Sequence, residues 1–352
     1  MTETPTSQDA DGRRFRAAAT AIALVAFALV ILQTDAKITD MTGVGRAYTT
    51  AMIALTLMVL LLRISLDLAV KFVAARLGKS DGTPVAKAVL ARINWRDIVT
   101  ALFALSITAT SFTVYKTLHI SETGYDWDPL FIAWDRAFFL GHDPWEISHS
   151  LFSSANATRI IDHLYHGAFM PMIVGYLFCV ALHDKPALRY TYMLCYLGGF
   201  VLVGMLMAAW LSSAGPIYDG QIYGDGQTFA PLIDRLAAQS AEMPQIRAVR
   251  LQDYLLRIHE TDGVGFGSGI SAMPSMHIVL VLIWMFAAWH IHKVIGLVMA
   301  AYTAIIWIGS VHLGWHYFVD GLVSLVVIWA LWRVVGTSFG LYQRPQVIRA
   351  TT

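Results

Sequence analysis

The chain is short of charge. Of its 352 residues only 14% are Asp, Glu, Lys or Arg, while 57% are hydrophobic; a soluble domain carries about 25% charged residues. That shortage excludes an ordinary soluble enzyme and points to an integral membrane protein. The net charge of +1 offers no basis for binding nucleic acid or an acidic partner. Cysteine is scarce too. Cys179 and Cys195 both lie in apolar runs, which excludes a disulfide framework or a zinc site; they read as small buried hydrophobes. No alternating, strand-like hydrophobicity competes with the long apolar runs. These therefore read as helices, which satisfy their own backbone in lipid. Internal repeats, low-complexity stretches and a soluble domain are lacking as well.

What is present is a series of apolar segments near the length, about 20 residues, that crosses a bilayer. Eight spans are expected: Ala17–Leu32, Ala47–Leu62, Ile98–Leu118, His163–Leu182, Tyr190–Leu211, Met276–Ile291, Val294–Val311 and Tyr317–Val335. The fold class is thus an all-α, polytopic membrane bundle. The first run follows Arg13, Arg14 and Arg16 and lacks a small-residue cleavage site after it (Gln33, Thr34, Asp35), so it reads as a signal anchor. The first two spans look like an addition, making 1–97 an N-terminal extension, 98–335 a six-helix core and 336–352 a tail.

Lys and Arg in the loops set orientation. With eight alternating helices, Arg63, Lys71, Arg76, Lys79, Lys87, Arg92, Arg96, Lys185, Arg189, Lys293, Arg333, Arg344 and Arg349 fall on one side, with the N-terminal arginines. Both termini are therefore expected in the cytoplasm. The opposite side carries an acidic, aromatic loop at 119–162. A second loop, 212–275, has helical spacing from about Pro231 to Arg257, which suggests a surface helix or helix pair lying along the membrane.

Two clusters carry chemistry. One is Ser271-Ala272-Met273-Pro274-Ser275-Met276-His277, at the start of the sixth span. The other is His312-Leu313-Gly314-Trp315-His316-Tyr317-Phe318-Val319-Asp320, at the start of the eighth. Both fall at the non-cytoplasmic face, and ionisable groups at membrane depth are costly and usually functional. His316 and Asp320 are four apart, so on a helix the carboxylate can hold one imidazole nitrogen and leave the other free to attack. His277 sits at a helix N-terminus, where backbone N–H groups favour an anion, and Ser275 could add a hydroxyl. Such a His–Asp pair alone is more often a plain polar contact. Its pairing with a Pro-Ser-x-His cluster on the same face favours catalysis. His312, His316 and Asp320 also share metal-ligand spacing, and a proton relay in a transporter is a further alternative.

These residues resemble the type 2 phosphatidic acid phosphatase superfamily, which has a six-helix core bearing Pro-Ser-x-His and His-x3-Asp elements on one side of the membrane. Pro274-Ser275-Met276-His277 and His316-x3-Asp320 match in that order, one hairpin apart, and the resemblance covers roughly Ile98 to Val335. More narrowly, the chain is similar to the branch of inositol phosphorylceramide synthase. Ala272–His277, His316–Asp320 and Asp135-Arg136-Ala137-Phe138-Phe139-Leu140-Gly141-His142-Asp143-Pro144 resemble that branch's elements.

The resemblance implies that His316 attacks phosphorus, Asp320 orients it and His277 protonates the leaving oxygen, with no metal or cofactor. It implies a lipid substrate and a second lipid or water as acceptor. The chain also departs from the phosphatase branch. Ser310 stands where that branch has an arginine, and Ser212–Tyr218 contains no cation where it has a lysine and an arginine. Arg247, Arg250, Arg257, His312 and the helix N-terminus at Ser275 are candidate replacements. For the arginines, a solvated helix face is the plainer reading. The missing clamp fits a phosphodiester, which carries less charge, and so favours a phosphotransferase over a monoesterase. A transporter or lipid-binding protein without catalysis is the alternative of another class.

Overall fold

Long apolar runs free of helix breakers become long helices, and these make the bundle. The computed structural model describes residues 7–76, 94–169, 185–261 and 263–342, which contain helices and no strand. Helix α1 spans Ser7–Gln33 and α2 spans Ile38–Arg76. Helix α3 spans Trp95–Tyr115 and runs on as a π turn, Lys116–Ile120. Next come three short helices, α4 (Asp128–Phe138), α5 (Pro144–Leu151) and α6 (Ala155–Asp162), the last passing into a π turn, His163–Gly167. Helix α7 starts as Pro186–Val201 and continues through a third π turn, Leu202–Met207, to Trp210. Helices α8 (Ala230–Glu242) and α9 (Ala248–Glu260) precede α10 (Met276–Ile291), α11 (Lys293–His312) and α12 (Phe318–Ser338).

Six of these helices are long and apolar enough to cross a membrane, and α10 is a shorter apolar helix. The chain is a multi-pass membrane protein. The expected span His163–Leu182 lies outside the described residues from 170 on. Helix α2 corrects a boundary: it does not end near Leu62 but continues to Arg76. Lys71 and Arg76 therefore belong to a helix rather than a loop. The stretch offers no Gly or Pro to stop it, and Leu, Ala, Lys and Arg are good helix formers. The loop expected at 119–162 is also more ordered than its composition suggests. Pro129 and Pro144 sit in the first turns of α4 and α5, and Ser154 caps α6 by accepting the Ala157 N–H. In the 212–275 stretch the helix pair is found, as α8 and α9.

Helix α1 packs on α3 and α7. Phe15, Ala19, Ala23, Ala26 and Val30, three or four residues apart, are buried, and the small side chains let backbones approach closely, as is common between helices in lipid. One end of the bundle is tied by Asp97, near the start of α3. It takes Arg16 of α1 at 2.6 Å and the Tyr190 hydroxyl of α7 at 2.8 Å. At the other end α3, α7 and α11 finish, α10 and α12 begin, and α4–α6, α8 and α9 pack around them. That end holds the candidate site.

Candidate active site

His316 sits in the turn between α11 and α12. Its Nδ1 lies 2.8 Å from the Ala272 carbonyl and 3.0 Å from Asp320 Oδ2. Both neighbours are acceptors, so Nδ1 carries the proton and Nε2 keeps a lone pair. Asp320 lies in the first turn of α12, fully buried, and its Oδ2 also accepts the Tyr317 N–H at 3.1 Å. Burial pushes the His316 imidazole down to about 3, the Ala272 bond opposing this and the Lys116 charge adding to it. The ring is therefore neutral, the form able to attack. His277 is in the first turn of α10, with its ring centroid 6.5 Å from that of His316. It is held by stacking on Tyr165 at 4.5 Å and by Phe169 at 4.5 Å.

Both histidines line a cavity of about 400 Å³. Its lining combines apolar side chains, among them Phe112, Phe200, Leu255 and Leu280, with the polar groups of Lys116, His166, His277, His316 and Ser271. An amphipathic molecule with an anionic end fits such a lining.

The acidic loop supplies the scaffold. Asp128 Oδ1 accepts the Ser213 hydroxyl, the Gly215 N–H and the Tyr317 hydroxyl at 2.8, 3.0 and 2.8 Å, and its Oδ2 accepts the Ala214 N–H at 2.9 Å. The Ser213 carbonyl in turn takes the Ala272 N–H at 2.8 Å, and Ala272 holds His316. Asp135 accepts the Phe318 and Val319 N–H groups at 2.8 and 3.0 Å. It thus caps the helix that bears Asp320 from outside that helix. Arg136 grips Asp143 through two bonds of 2.7 and 2.9 Å. Within the Asp135–Pro144 segment, Asp135 thus reaches the helix that bears Asp320, while Arg136 and Asp143 tie the segment to itself.

The expected site residues separate into two groups. The structure brings His277, His316 and Asp320 together. Ser275 is fully buried, and its hydroxyl accepts the Ile278 N–H at 3.5 Å as the cap of α10; it does not line the cavity. His312 is also apart. Its Nε2 meets Thr158 Oγ1 at 2.9 Å and its Nδ1 meets Ser148 Oγ at 3.2 Å, and its ring stacks on His149 at 3.8 Å. Both nitrogens are committed, so His312 cannot join His316 and Asp320 around a metal, and it cannot touch a phosphate in the cavity. Arg250 is exposed and donates to the Pro244 carbonyl at 2.7 Å. Arg257 is exposed on α9. Arg247 is half-buried against Gly167, where an added Cβ would come 2.7 Å from the guanidinium; it does not line the cavity.

Ser310, in the place of the phosphatase arginine, is buried. Its carbonyl takes the N–H groups of Trp315 and His316 at 2.9 and 3.2 Å, so that position shapes the His316 turn. Gly215, in the stretch without a cation, has φ 94°, and an added Cβ would lie 2.7 Å from the Trp315 carbonyl; this is a close approach that glycine alone permits.

Sequence reasoning missed two residues. Lys116 was read as part of the apolar span Ile98–Leu118, although a lysine at such depth is itself a signal. His166 was lost at the start of the next expected span. Its Nδ1 meets Asp162 Oδ1 at 2.9 Å, four residues back, and the Ala248 N–H meets the same oxygen at 2.8 Å. Burial alone would raise the Asp162 carboxyl, but the bonds from His166 and the α9 backbone outweigh it and hold it below its ordinary range.

The described residues thus form a multi-pass helical bundle with two histidines lining one cavity. Residues 130–334 match the PAP2 superfamily, more than half of the chain, and the chain belongs to that superfamily. No curated protein and no solved structure matches it.

Proposed function

We propose that the protein is a lipid phosphotransferase that moves a phospho-headgroup, such as phosphoinositol, between lipids through a phosphohistidine, in the manner of the inositol phosphorylceramide synthase branch. The observation that carries this reading is the anchored Nδ1 of His316, which leaves a neutral Nε2 near His277 on the cavity they both line. In the first half-reaction Nε2 bonds to phosphorus, the bond to the leaving oxygen breaks, and His277 as imidazolium gives that oxygen its proton. Asp320 holds the positive charge that develops on His316. In the second half-reaction an acceptor hydroxyl gives its proton back to His277 and bonds to phosphorus as the P–N bond breaks.

The largely apolar remainder of the cavity supports a lipid over a soluble phosphate ester. With water as acceptor the same steps make a lipid phosphate phosphatase, the alternative within the superfamily. The basic residues at the Asp97 end of the bundle support a cytoplasmic position for that end and an outer-face site at the plasma membrane. In this reading 98–335 is the catalytic core and 1–97 an added pair of helices.

The test is a panel of phospholipids and lipid phosphates, with and without ceramide or diacylglycerol, followed by mass spectrometry. A new phospho-headgroup lipid that needs both acceptor and His316 supports the transferase. Free phosphate from a monoester, indifferent to acceptor, makes it a phosphatase. Replacing His316 with Ala should lower either activity by at least about a thousandfold, and full turnover by that variant would exclude the mechanism.

A further inference from the structure

We propose that Lys116 and His166 form the cationic clamp on the substrate phosphate, with Asp162 as the residue that positions His166. The inference rests on the reading above and supplies what the motif positions lack.

Tyrosines apart, the ionisable side chains that line the cavity among the described residues are Lys116, His166, His277 and His316. No carboxylate among the described residues lines it. Asp320 and Asp162 stand behind the rings of His316 and His166, on the Nδ1 side. Lys116 has no ion-pair partner among the described residues, and its ammonium lies 5.8 Å from the centroid of the Phe112 ring. An ammonium facing a mostly apolar cavity without a counter-ion is costly; a bound anion removes that cost. A phosphate on His316 is such an anion, and charge-assisted donors are what stabilise it as its charge redistributes.

The backbone supports the same assignment. Three helices that reach the cavity each change to a π turn there: Lys116 opens the first, His166 lies in the second and Gly204 in the third. A π turn shifts the side chains that follow it relative to a plain helix, and such turns recur at functional sites. Lys116 also precedes the segment that matches the superfamily, so this cation enters from outside the matched core. His166 is anchored at Nδ1 as His316 is, so its Nε2 is the atom left for an oxygen of the substrate.

The experiment measures binding of inorganic phosphate to the full chain in detergent, by thermal shift, without any turnover. Wild type and His316→Ala should be stabilised by phosphate alike. Lys116→Met and His166→Asn should bind it at least tenfold more weakly, and Lys116→Arg should keep most of the affinity, which separates lost charge from lost fold. Equal phosphate affinity in wild type, Lys116→Met and His166→Asn would overturn the clamp, as would a wild type that binds no phosphate. Retained turnover by His316→Ala would instead overturn the phosphohistidine and leave the clamp standing.

Discussion

Two histidine–aspartate pairs face one cavity, each four residues apart and each joined through Nδ1 at about the same distance: 3.0 Å for His316–Asp320 and 2.9 Å for His166–Asp162. They run in opposite chain directions. In the first the aspartate is buried in the opening turn of a long helix, and the histidine has a second anchor at the Ala272 carbonyl. In the second the aspartate closes a short helix, its Oδ1 also takes the Ala248 N–H, and the histidine rides on a π turn. In the proposed reading the same local chemistry serves two tasks. A doubly anchored, neutral imidazole in a rigid frame suits attack on phosphorus, where misplacement by 1 Å is costly. A singly anchored imidazole whose Nε2 is left open suits a contact to the substrate phosphate.

The comparison can be broken by removing one carboxylate at a time. Asp320→Asn keeps the shape but weakens the support for charge on His316. Turnover should fall by about 10²–10⁴, with KM little changed. Asp162→Asn should act mainly on substrate binding, raising KM about tenfold, the range expected for one charge-assisted contact. Equal kcat losses from both variants would mean that the pairs share one task.

A third change sharpens the role of the frame. Asp135→Ala removes the acceptor of the Phe318 and Val319 N–H groups. It should cost about 1–2 kcal/mol, the usual scale for a lost helix cap, read as a lower unfolding midpoint in detergent, while phosphate affinity stays within about twofold, a small change in free energy. A large loss of affinity without loss of stability would instead make Asp135 a substrate contact.

Much of this was legible in the residues. Hydropathy placed the spans now seen as α3, α7, α10, α11 and α12 to within a few residues, because a bilayer demands length and apolarity and little else. The spacing of His316 and Asp320, with Pro274-Ser275-Met276-His277 one hairpin earlier, pointed to the His277, His316 and Asp320 cluster that the fold brings together. What was hidden depended on three-dimensional partners. Ser275 and His312 carry the right chemistry, but a helix cap claims one and the Ser148–Thr158–His149 cluster claims the other. Arg250 is turned to a neighbouring carbonyl. Lys116 and His166 were obscured because π turns break the simple 3.6-residue period on which span and face assignments rest. The Asp135–Pro144 segment gave no hint that its aspartate caps a helix 183 residues away.

The most direct test of the central claim is to trap the covalent intermediate. The purified protein is mixed with a phospholipid donor that it turns over, quenched within the first turnover at alkaline pH, and digested for mass spectrometry. The account expects one phosphate-bearing group on His316, acid-labile, absent from His316→Ala and discharged when the acceptor is added. A modification found instead on His277 or His166, or turnover with no modified histidine under those conditions, would contradict it.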